Sequence, residues 1–414
     1  WGDEGKGRMV DLIAKEYDVV CRYQGGNNAG HTVVNEYGKF ALHLIPSGIF
    51  LKGVVNVLGN GVVIDLEHLW GEMKSLMDAG IEITPENFKI SERATIVFPY
   101  HRALDGLEEA RLKDKKYGST LRGIAPVYSD KYQKKTIMMG ELLYPEYLKK
   151  RLAGILEWKN LTIQNVYGAE PYKLDDMLAW CEEFGSKLAP YICNTTRFLY
   201  DAEKSGKNIM FEAQLGALRD IDFGIFPYTS SSSSNAGYAC VGAGIPGSHV
   251  DRTVGIVKAY STCVGEGPFT AEWFGEEAEA LRQAGAEYGA ATGRPRRVGP
   301  IDLVATRYGV QIQGATEIAL TKLDVLSYMK EIPVCVQYEI HGQKTDEFPF
   351  TAVVDEAKPV FTTMPGWGCD ISGVRKWEDL PVEARNYVEY IEKAIGCRIS
   401  YVSVGAARDE YIQR

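Results

Sequence analysis

The chain has 414 residues, 45% of them hydrophobic and 24% charged, with a formal net charge of -9. That length is ample for a buried core without disulfide or metal clips, and the acidic balance argues against nucleic acid as the main partner, because phosphate binding needs surplus Lys and Arg. No apolar run approaches the roughly 20 residues of a membrane span and no charged-then-apolar leader opens the chain, so a cytoplasmic globular protein without a membrane partner is expected. The eight cysteines are scattered, with no CxxC pair, and read as reduced thiols.

The chain opens W-G-D-E-G-K-G-R over residues 1–8. Its glycines let backbone amides approach phosphate oxygens, its lysine adds positive charge, and Asp3 and Glu4 offer carboxylates for a metal. The segment is shorter than GxxxxGK-Ser/Thr and lacks the hydroxyl after the lysine. On its own it reads as a phosphate loop or as a solvated glycine turn. A nucleotide loop ordinarily follows a buried strand, so a short strand is expected ahead of Trp1.

Downstream, short β-branched runs alternate with longer amphipathic ones, the pattern of strands joined by helical crossovers. Strands are predicted at 19–23, 54–58, 209–212, 254–260, 318–323 and 334–338, all in one central sheet. Little polar alternation marks them, as expected when both faces are covered. Helices are predicted at 66–79, 147–158, 175–188, 272–284 and 382–394, where apolar residues recur at spacings of three and four. The fold class is α/β: a mostly parallel central sheet with helices on both faces. Glycine and serine breaks follow several strands, at Gly25, Gly26, 59–61, Gly216 and 230–234, which is where ligand loops of open α/β sheets sit. No repeat or long linker divides the chain, so residues 1–414 are taken as a single elaborated domain with insertions.

Four further segments carry chemistry. Q-G-G-N-N-A-G-H-T, residues 24–32, follows the first predicted strand and brings amides, two carboxamides and His31, which is equipped to polarise a carbonyl oxygen or to play a hydrogen-bonded structural part. Arg294, Arg296 and Arg297 stand in a turn with Gly293 and Pro295. Guanidinium forks there suit a small dicarboxylate, a phosphate or solvent. Lys322-Leu323-Asp324 ends a strand, with an aspartate that can accept from a guanine ring or serve structure alone. The serine run after Tyr228 reads by composition as a flexible linker.

The W-G-D-E-G-K-G-R loop and the N-A-G-H-T loop at 28–32 together resemble the adenylosuccinate synthetase family. The resemblance runs in order through L-H-L-I-P-S-G (42–48), G-N-G-V-V (59–63), D-I-D-F-G (220–224), K-A-Y-S-T (258–262), V-G-E-G-P-F (264–269), A-T-G-R-P-R-R (291–297), T-K-L-D-V-L (321–326) and M-P-G-W (364–367). It implies a GTP-dependent ligase with a P-loop-NTPase-like GTP site. The enzyme joins L-aspartate to the six-position of IMP through 6-phosphoryl-IMP and yields adenylosuccinate, GDP and phosphate on the AMP branch of purine synthesis.

The resemblance also implies site residues. Asp3 is the base at IMP N1, and His31 stabilises the six-oxygen and the transferring phosphoryl group. One Mg²⁺ per subunit is held by Asp3 and the Gly30 carbonyl. GTP meets Gly2, Asp3, Glu4, Gly5, Lys6, Gly7, Arg8, Gly30, His31, Thr32, Arg296, Lys322, Leu323 and Asp324, with Ser403, Val404 and Gly405 behind the base. IMP meets Asp3, Glu4, Gly5, Lys6, Asn28, Ala29, Gly30, His31, Thr120, Lys134, Gln214, Thr229, Ser230 and Arg294. Aspartate meets Ala290, Ala291, Thr292, Gly293, Arg294, Pro295 and Arg296. A homodimer is implied in which Lys134 reaches the other subunit's IMP site.

Several positions depart from the family pattern. Leu121 and Ala125 replace glycines of the phosphate loop, Gln214 is shifted by one in F-E-A-Q-L-G, Lys134-Lys135 keeps the charge of an arginine without its fork, Asn27 stands where histidine is frequent, and Ala406-Ala407 replaces a polar pair. A ligase for another purine nucleotide such as dGMP, and a regulatory GTP-binding protein without ligase activity, are the rival readings.

Overall fold

The computed structural model describes residues 1–35, 37–288 and 295–414, with only the backbone described at positions 31, 32, 34, 35 and 39. Five parallel strands form one sheet in the order Ile192–Cys193, Phe88–Ser91, Val55–Leu58, Val19–Arg22, Ile209–Glu212. Val19–Arg22 is buried at every position, which is why its sequence is apolar without alternation. A second sheet sets Val254–Lys258, Glu317–Thr321 and Ile399–Ser403 parallel, with Tyr411–Gln413 antiparallel at its edge.

The helices bury the stripes their spacing predicts. Leu66–Asp78 turns Leu66, Leu69, Met73 and Leu76 inward, and the Asp65 side chain caps its start by accepting from His68 N at 3.2 Å. Pro145–Asn165 contains the predicted segment 147–158, and Gly275–Gly285 and Val382–Ile395 match two others. The segment 175–188 is helical but takes a π turn at Cys181–Gly185. One large core packs Leu58, Ile90, Leu69, Met73 and Leu152 together. A second packs Ile318, Leu320, Ile399, Tyr387 and Ile391.

The six strands expected in one central sheet are divided among three: 19–23, 54–58 and 209–212 fall in the first, 254–258 and 318–321 in the second, and 334–338 in a third, mixed sheet. The predicted strand 254–260 ends at Lys258, and Tyr260–Cys263 pairs antiparallel with Arg297–Asp302. Residues 334–338 belong to Glu331–Ile340, which pairs parallel with Arg297–Asp302 and antiparallel with Lys358–Pro365, outside the two parallel blocks. Ile332 and Val334 pack into one core and Cys335 and Tyr338 into another, so both faces of this strand are covered, with a break in register between Cys335 and Gln337.

Candidate functional site

The opening loop is shaped by left-handed backbone. Asp3 has φ 61 and Gly5, the residue capping helix Lys6–Ile13, has φ 91. An aspartate tolerates that region at a modest cost and glycine at none, and the resulting turn leaves backbone N–H groups at the helix start free for an anion. Thr321, at the end of its strand, donates from Oγ1 to Glu4 O at 2.6 Å, and a Cβ on Gly5 would stand 3.7 Å from the Thr321 methyl. The helix is held from below by Met9, Leu12 and Ile13 against Ala319 and Tyr401. Glu4 folds back to accept from Gly2 N at 2.7 Å, and Lys6 Nζ lies 3.9 Å from its carboxylate. Thr262 Oγ1 approaches Gly2 O at 3.5 Å, so the loop touches strand ends from both the second sheet and the antiparallel one.

The second glycine loop leaves the strand Val19–Arg22 and is tied down by side chains from far away. Gly25 N donates to Tyr128 Oη at 2.9 Å, and that hydroxyl donates to Gly61 O at 2.6 Å. Gln214 is buried, and its Nε2 donates to Gly26 O and Asn28 Oδ1, both at 3.1 Å. Despite the shifted register, the glutamine therefore stands against the loop that carries Asn28. The Asn27 carboxamide is 2% exposed, and among the described residues neither end has a hydrogen-bond partner. Such an unpaired buried carboxamide is open to a water or to a ligand atom. His31 and Thr32 open the hairpin His31–Asn35 with Gly38–Leu42, and their side chains lie outside the described residues.

Sequence reasoning missed His43. Its ring covers Gly30 so closely that a Cβ there would stand 2.7 Å from Nε2, and it meets the His68 ring edge-on at 5.0 Å. Glu72 fixes the segment by accepting from the backbone N–H of His43, Leu44 and Ile45 at 3.0 to 3.1 Å. Ligating atoms of His43, His68 and Glu72 lie within 4.8 Å of one another. Burial first, then neighbouring cations that include Arg122, hold both imidazoles below their usual range, His68 down to about 4. The field there favours neutral rings beside an open cavity of about 590 Å³ that Arg102 and Arg122 also line.

At the base end, Lys322 takes φ 59 and Leu323 N donates to Ser403 O at 3.1 Å, which sets Asp324 beside the 403–405 turn. Asp324 Oδ1 is buried without a hydrogen-bond partner among the described residues. Burial pushes its carboxyl up, against the pull of Lys322 and Arg8. An unsatisfied carboxylate oxygen suits a ring that offers two N–H donors. Arg8 spends its guanidinium on structure: it donates to Ser403 Oγ at 2.5 Å, to Glu410 O at 3.1 Å, and to the carbonyls of Gly405 and Ala407. It reaches the predicted base pocket by holding its wall.

The arginine segment divides. Positions 289–294, and with them the expected Ala290, Ala291, Thr292, Gly293 and Arg294, lie outside the described residues. Pro295 is bridged to Tyr288, and Arg296 N donates to Glu287 O at 3.0 Å. Arg296 Nε stands 3.1 Å from Asp3 Oδ2, an ion pair without hydrogen-bond alignment. Its Nη1 donates to Glu287 Oε2 at 2.6 Å. Arg297 points elsewhere, to Glu272 Oε1 at 2.9 Å and to Gly267 O at 2.8 Å. Glu287 was not foreseen. It is fully buried and also receives Lys258 Nζ at 3.0 Å, Lys322 Nζ at 2.7 Å and the Tyr260 hydroxyl.

The loop at 118–126 is hung from helix Pro99–Leu112. Asp105 Oδ1 accepts from Ser119 Oγ at 2.6 Å and its Oδ2 from Gly123 N at 2.8 Å, while Glu109, one turn on, accepts from Tyr117 N and Gly118 N. Thr120 is left exposed at the crest beside Leu121, which adopts φ 58 where the family pattern has glycine. Lys134 is exposed just past helix Ile124–Tyr132. The serine tract is not a linker. Buried Asp220 accepts from Ser233 Oγ at 3.1 Å and Asn235 N at 3.0 Å, and Ser230 N donates to Arg219 O at 2.9 Å, which fixes the place of Thr229 and Ser230.

A family model described as adenylosuccinate synthetase matches residues 1–412. A curated relative of that name from Dehalococcoides mccartyi is 45% identical, over 100% of this chain and 98% of its own length. One from Caldanaerobacter subterraneus is 44% identical, over 100% and 96%. The solved structure of fully ligated adenylosuccinate synthetase from Plasmodium falciparum superposes with a TM-score of 0.92 at 34% identity, covering 100% of this chain and 97% of that one. The succinoaminodeoxyadenylate synthetase of cyanophage S-2L, bound to dGMP and dATP, shares the fold with a TM-score of 0.62 at 18% identity, covering 100% and 92%.

Proposed function

The chain belongs to the adenylosuccinate synthetase family, and on that premise we propose how its residues divide the work. It is a GTP-dependent ligase that joins L-aspartate to IMP. The six-oxygen of IMP is a poor leaving group, so it is activated first. Asp3 takes the N1 proton, charge builds on the six-oxygen, and that oxygen attacks the γ-phosphorus of GTP as the bond to the GDP oxygen breaks. His31 and Lys6 stabilise the transferring charge. The aspartate amine then forms the bond to C6, the C6–oxygen bond breaks, and phosphate leaves as the amine gives up a proton.

The observation that carries this reading is the Arg296–Asp3 pair at 3.1 Å, which sets a carboxylate suited to act as base beside the arginine segment suited to read aspartate. Asp324 would accept from guanine, Arg294 and Arg296 would bind the aspartate carboxylates, and Thr120, Gln214, Thr229 and Ser230 would surround IMP. The Asp3 carboxylate is 37% exposed and, with the Gly30 carbonyl, gives the oxygen donors that Mg²⁺ takes. That ion, one per subunit, would neutralise charge on the GTP phosphates when bound. Asp3 would exchange Arg296 for it readily, because that pair lacks an aligned hydrogen bond.

Residues 1–414 would act as one elaborated domain in the cytoplasm. Among the described residues no helix is long and apolar enough to cross a membrane. Lys134, exposed beyond its helix, would reach the IMP site of a second subunit in a homodimer. Replacing Asp3 by Ala tests the base: turnover should fall at least roughly 10²-fold with folding intact, and a loss of only a few fold would remove Asp3 from that role.

A further inference from the structure

Glu287 lies at 0% exposure among three cations and a phenol. Its Oε1 accepts Lys258 Nζ at 3.0 Å, Lys322 Nζ at 2.7 Å and the Tyr260 hydroxyl, and its Oε2 accepts Arg296 Nη1 at 2.6 Å. The carboxylate is itself held by the chain around it. Glu287 N donates to Arg282 O at 2.9 Å, Arg296 N donates to Glu287 O at 3.0 Å, and Lys322 Nζ also reaches Gly285 O at 2.7 Å. Close packing fixes the turn, since a Cβ on Gly285 would stand 2.3 Å from the Tyr260 hydroxyl. One buried anion therefore anchors Arg296, the first described arginine of the 294–297 cluster, and the lysine of the base-end strand.

The geometry points to Glu287 as a positioning residue that couples the aspartate and guanine ends of the site by holding Arg296 and Lys322 on one carboxylate. This rests on the role proposed above for Arg296 and on Lys322 meeting GTP, as the family resemblance implies. Three like charges at hydrogen-bonding distance from a single carboxylate would repel one another without it. Burial alone would raise the acid, yet Lys258 and Lys322 bring it down to about 2, so it stays ionised across the working range. With Asp3 Oδ2 3.1 Å from Arg296 Nε, two carboxylates face three cations, which leaves the cluster one anion short. The carboxylates of aspartate and the phosphates of GTP are the anions that complete it, so Glu287 sets the direction in which the two side chains present their unsatisfied donors. Its hydrogen-bond set does not touch Thr120, Gln214 or the serine tract, and it meets the IMP end only through Arg296 and Asp3, whose part is proton removal, so KM for IMP should change least.

The test is Glu287→Gln, which keeps shape and removes charge, with KM measured for all three substrates. KM for aspartate and for GTP should each rise about tenfold or more, with KM for IMP within threefold of the parent. A purely structural role would lower the active fraction and leave the three KM values alone. That result, or an equal rise in all three, would overturn the proposal. If the buried Lys258 ammonium left by this change prevents folding, Lys258→Met serves as reference and Lys258→Met/Glu287→Gln as the test, because the pair restores charge balance while still freeing Arg296 and Lys322. The double variant must then raise the same two KM values over the single one, and equality between them would overturn the proposal. Arg296→Leu separates this inference from the reading it rests on. An unchanged KM for aspartate in that variant would remove Arg296 from substrate binding, whatever Glu287 does.

Discussion

Removing the Asp105 carboxylate should loosen the loop at 118–123 and weaken IMP binding selectively. Asp105 is 5% exposed and accepts from Ser119 Oγ at 2.6 Å and Gly123 N at 2.8 Å. Hydrogen bonds to a charged acceptor contribute about 1.5–3 kcal/mol each, but Ser119 sits where water can replace its partner, because Thr120 and Leu121 beside it are exposed. Gly123 is buried with φ 75, and a Cβ there would stand 2.8 Å from the His101 backbone, so its N–H has no room to turn toward solvent. The net loss in Asp105→Ala is therefore about 2–3 kcal/mol, or roughly 30- to 150-fold when IMP binding must restore the loop. Asp105→Asn keeps an acceptor and should cost roughly tenfold. Initial rates with IMP varied at saturating GTP and aspartate read this directly, and KM for GTP should stay within about twofold. The sign is decisive, because a carboxylate behind a phosphate site also repels the phosphate. A KM for IMP that falls in Asp105→Asn would mean that repulsion outweighs anchoring and would refute the argument.

Two other outcomes follow from single side chains. Asp324→Asn replaces an acceptor by a donor opposite the guanine N1–H and amine, so KM for GTP should rise about 30-fold or more; a xanthine nucleotide, with an oxygen in place of the amine, should recover part of the loss, and equal use of GTP by both proteins would contradict guanine recognition. Asp302, fully buried, has its carboxyl pushed by burial from 3.8 up to about 6. The folded state thus holds the proton more tightly, so this stabilising contribution is complete below about pH 4 and is lost as pH rises through 6, amounting to about 3 kcal/mol. Asp302→Asn keeps the cap on helix Leu303–Gln313, where the side chain accepts from Ala305 N at 3.0 Å, and should flatten that part of the pH dependence of unfolding. Parallel slopes for the two proteins would show that Asp302 is ionised throughout.

The sequence made the loops legible because their chemistry is local. Gly2, Asp3, Gly5 and Lys6 are neighbours in the chain and in the site, and the 24–32 loop follows a short apolar strand. What stayed hidden depends on distance in sequence. Glu287 has its partners at 258, 260, 296 and 322, and no spacing marks a lone glutamate in E-Y-G as the centre of that cluster. His43 was visible only as part of a motif, because its covering of Gly30 comes from the hairpin that folds it back. The helix Leu303–Gln313 did carry signals, Asp302 as cap and Gly314 at φ 58 beyond its end, but its apolar stripe is weak. The serine tract misled because composition cannot show that Asp220, ten residues before its first serines, organises it.

The most direct measurement is an assay of the full chain with IMP, GTP, Mg²⁺ and L-aspartate, following adenylosuccinate absorbance, with dGMP replacing IMP and ATP replacing GTP in parallel. The account predicts product with IMP and GTP together and none when either is exchanged. Product from dGMP in place of IMP, or GTP hydrolysis with no aspartate adduct, would contradict it.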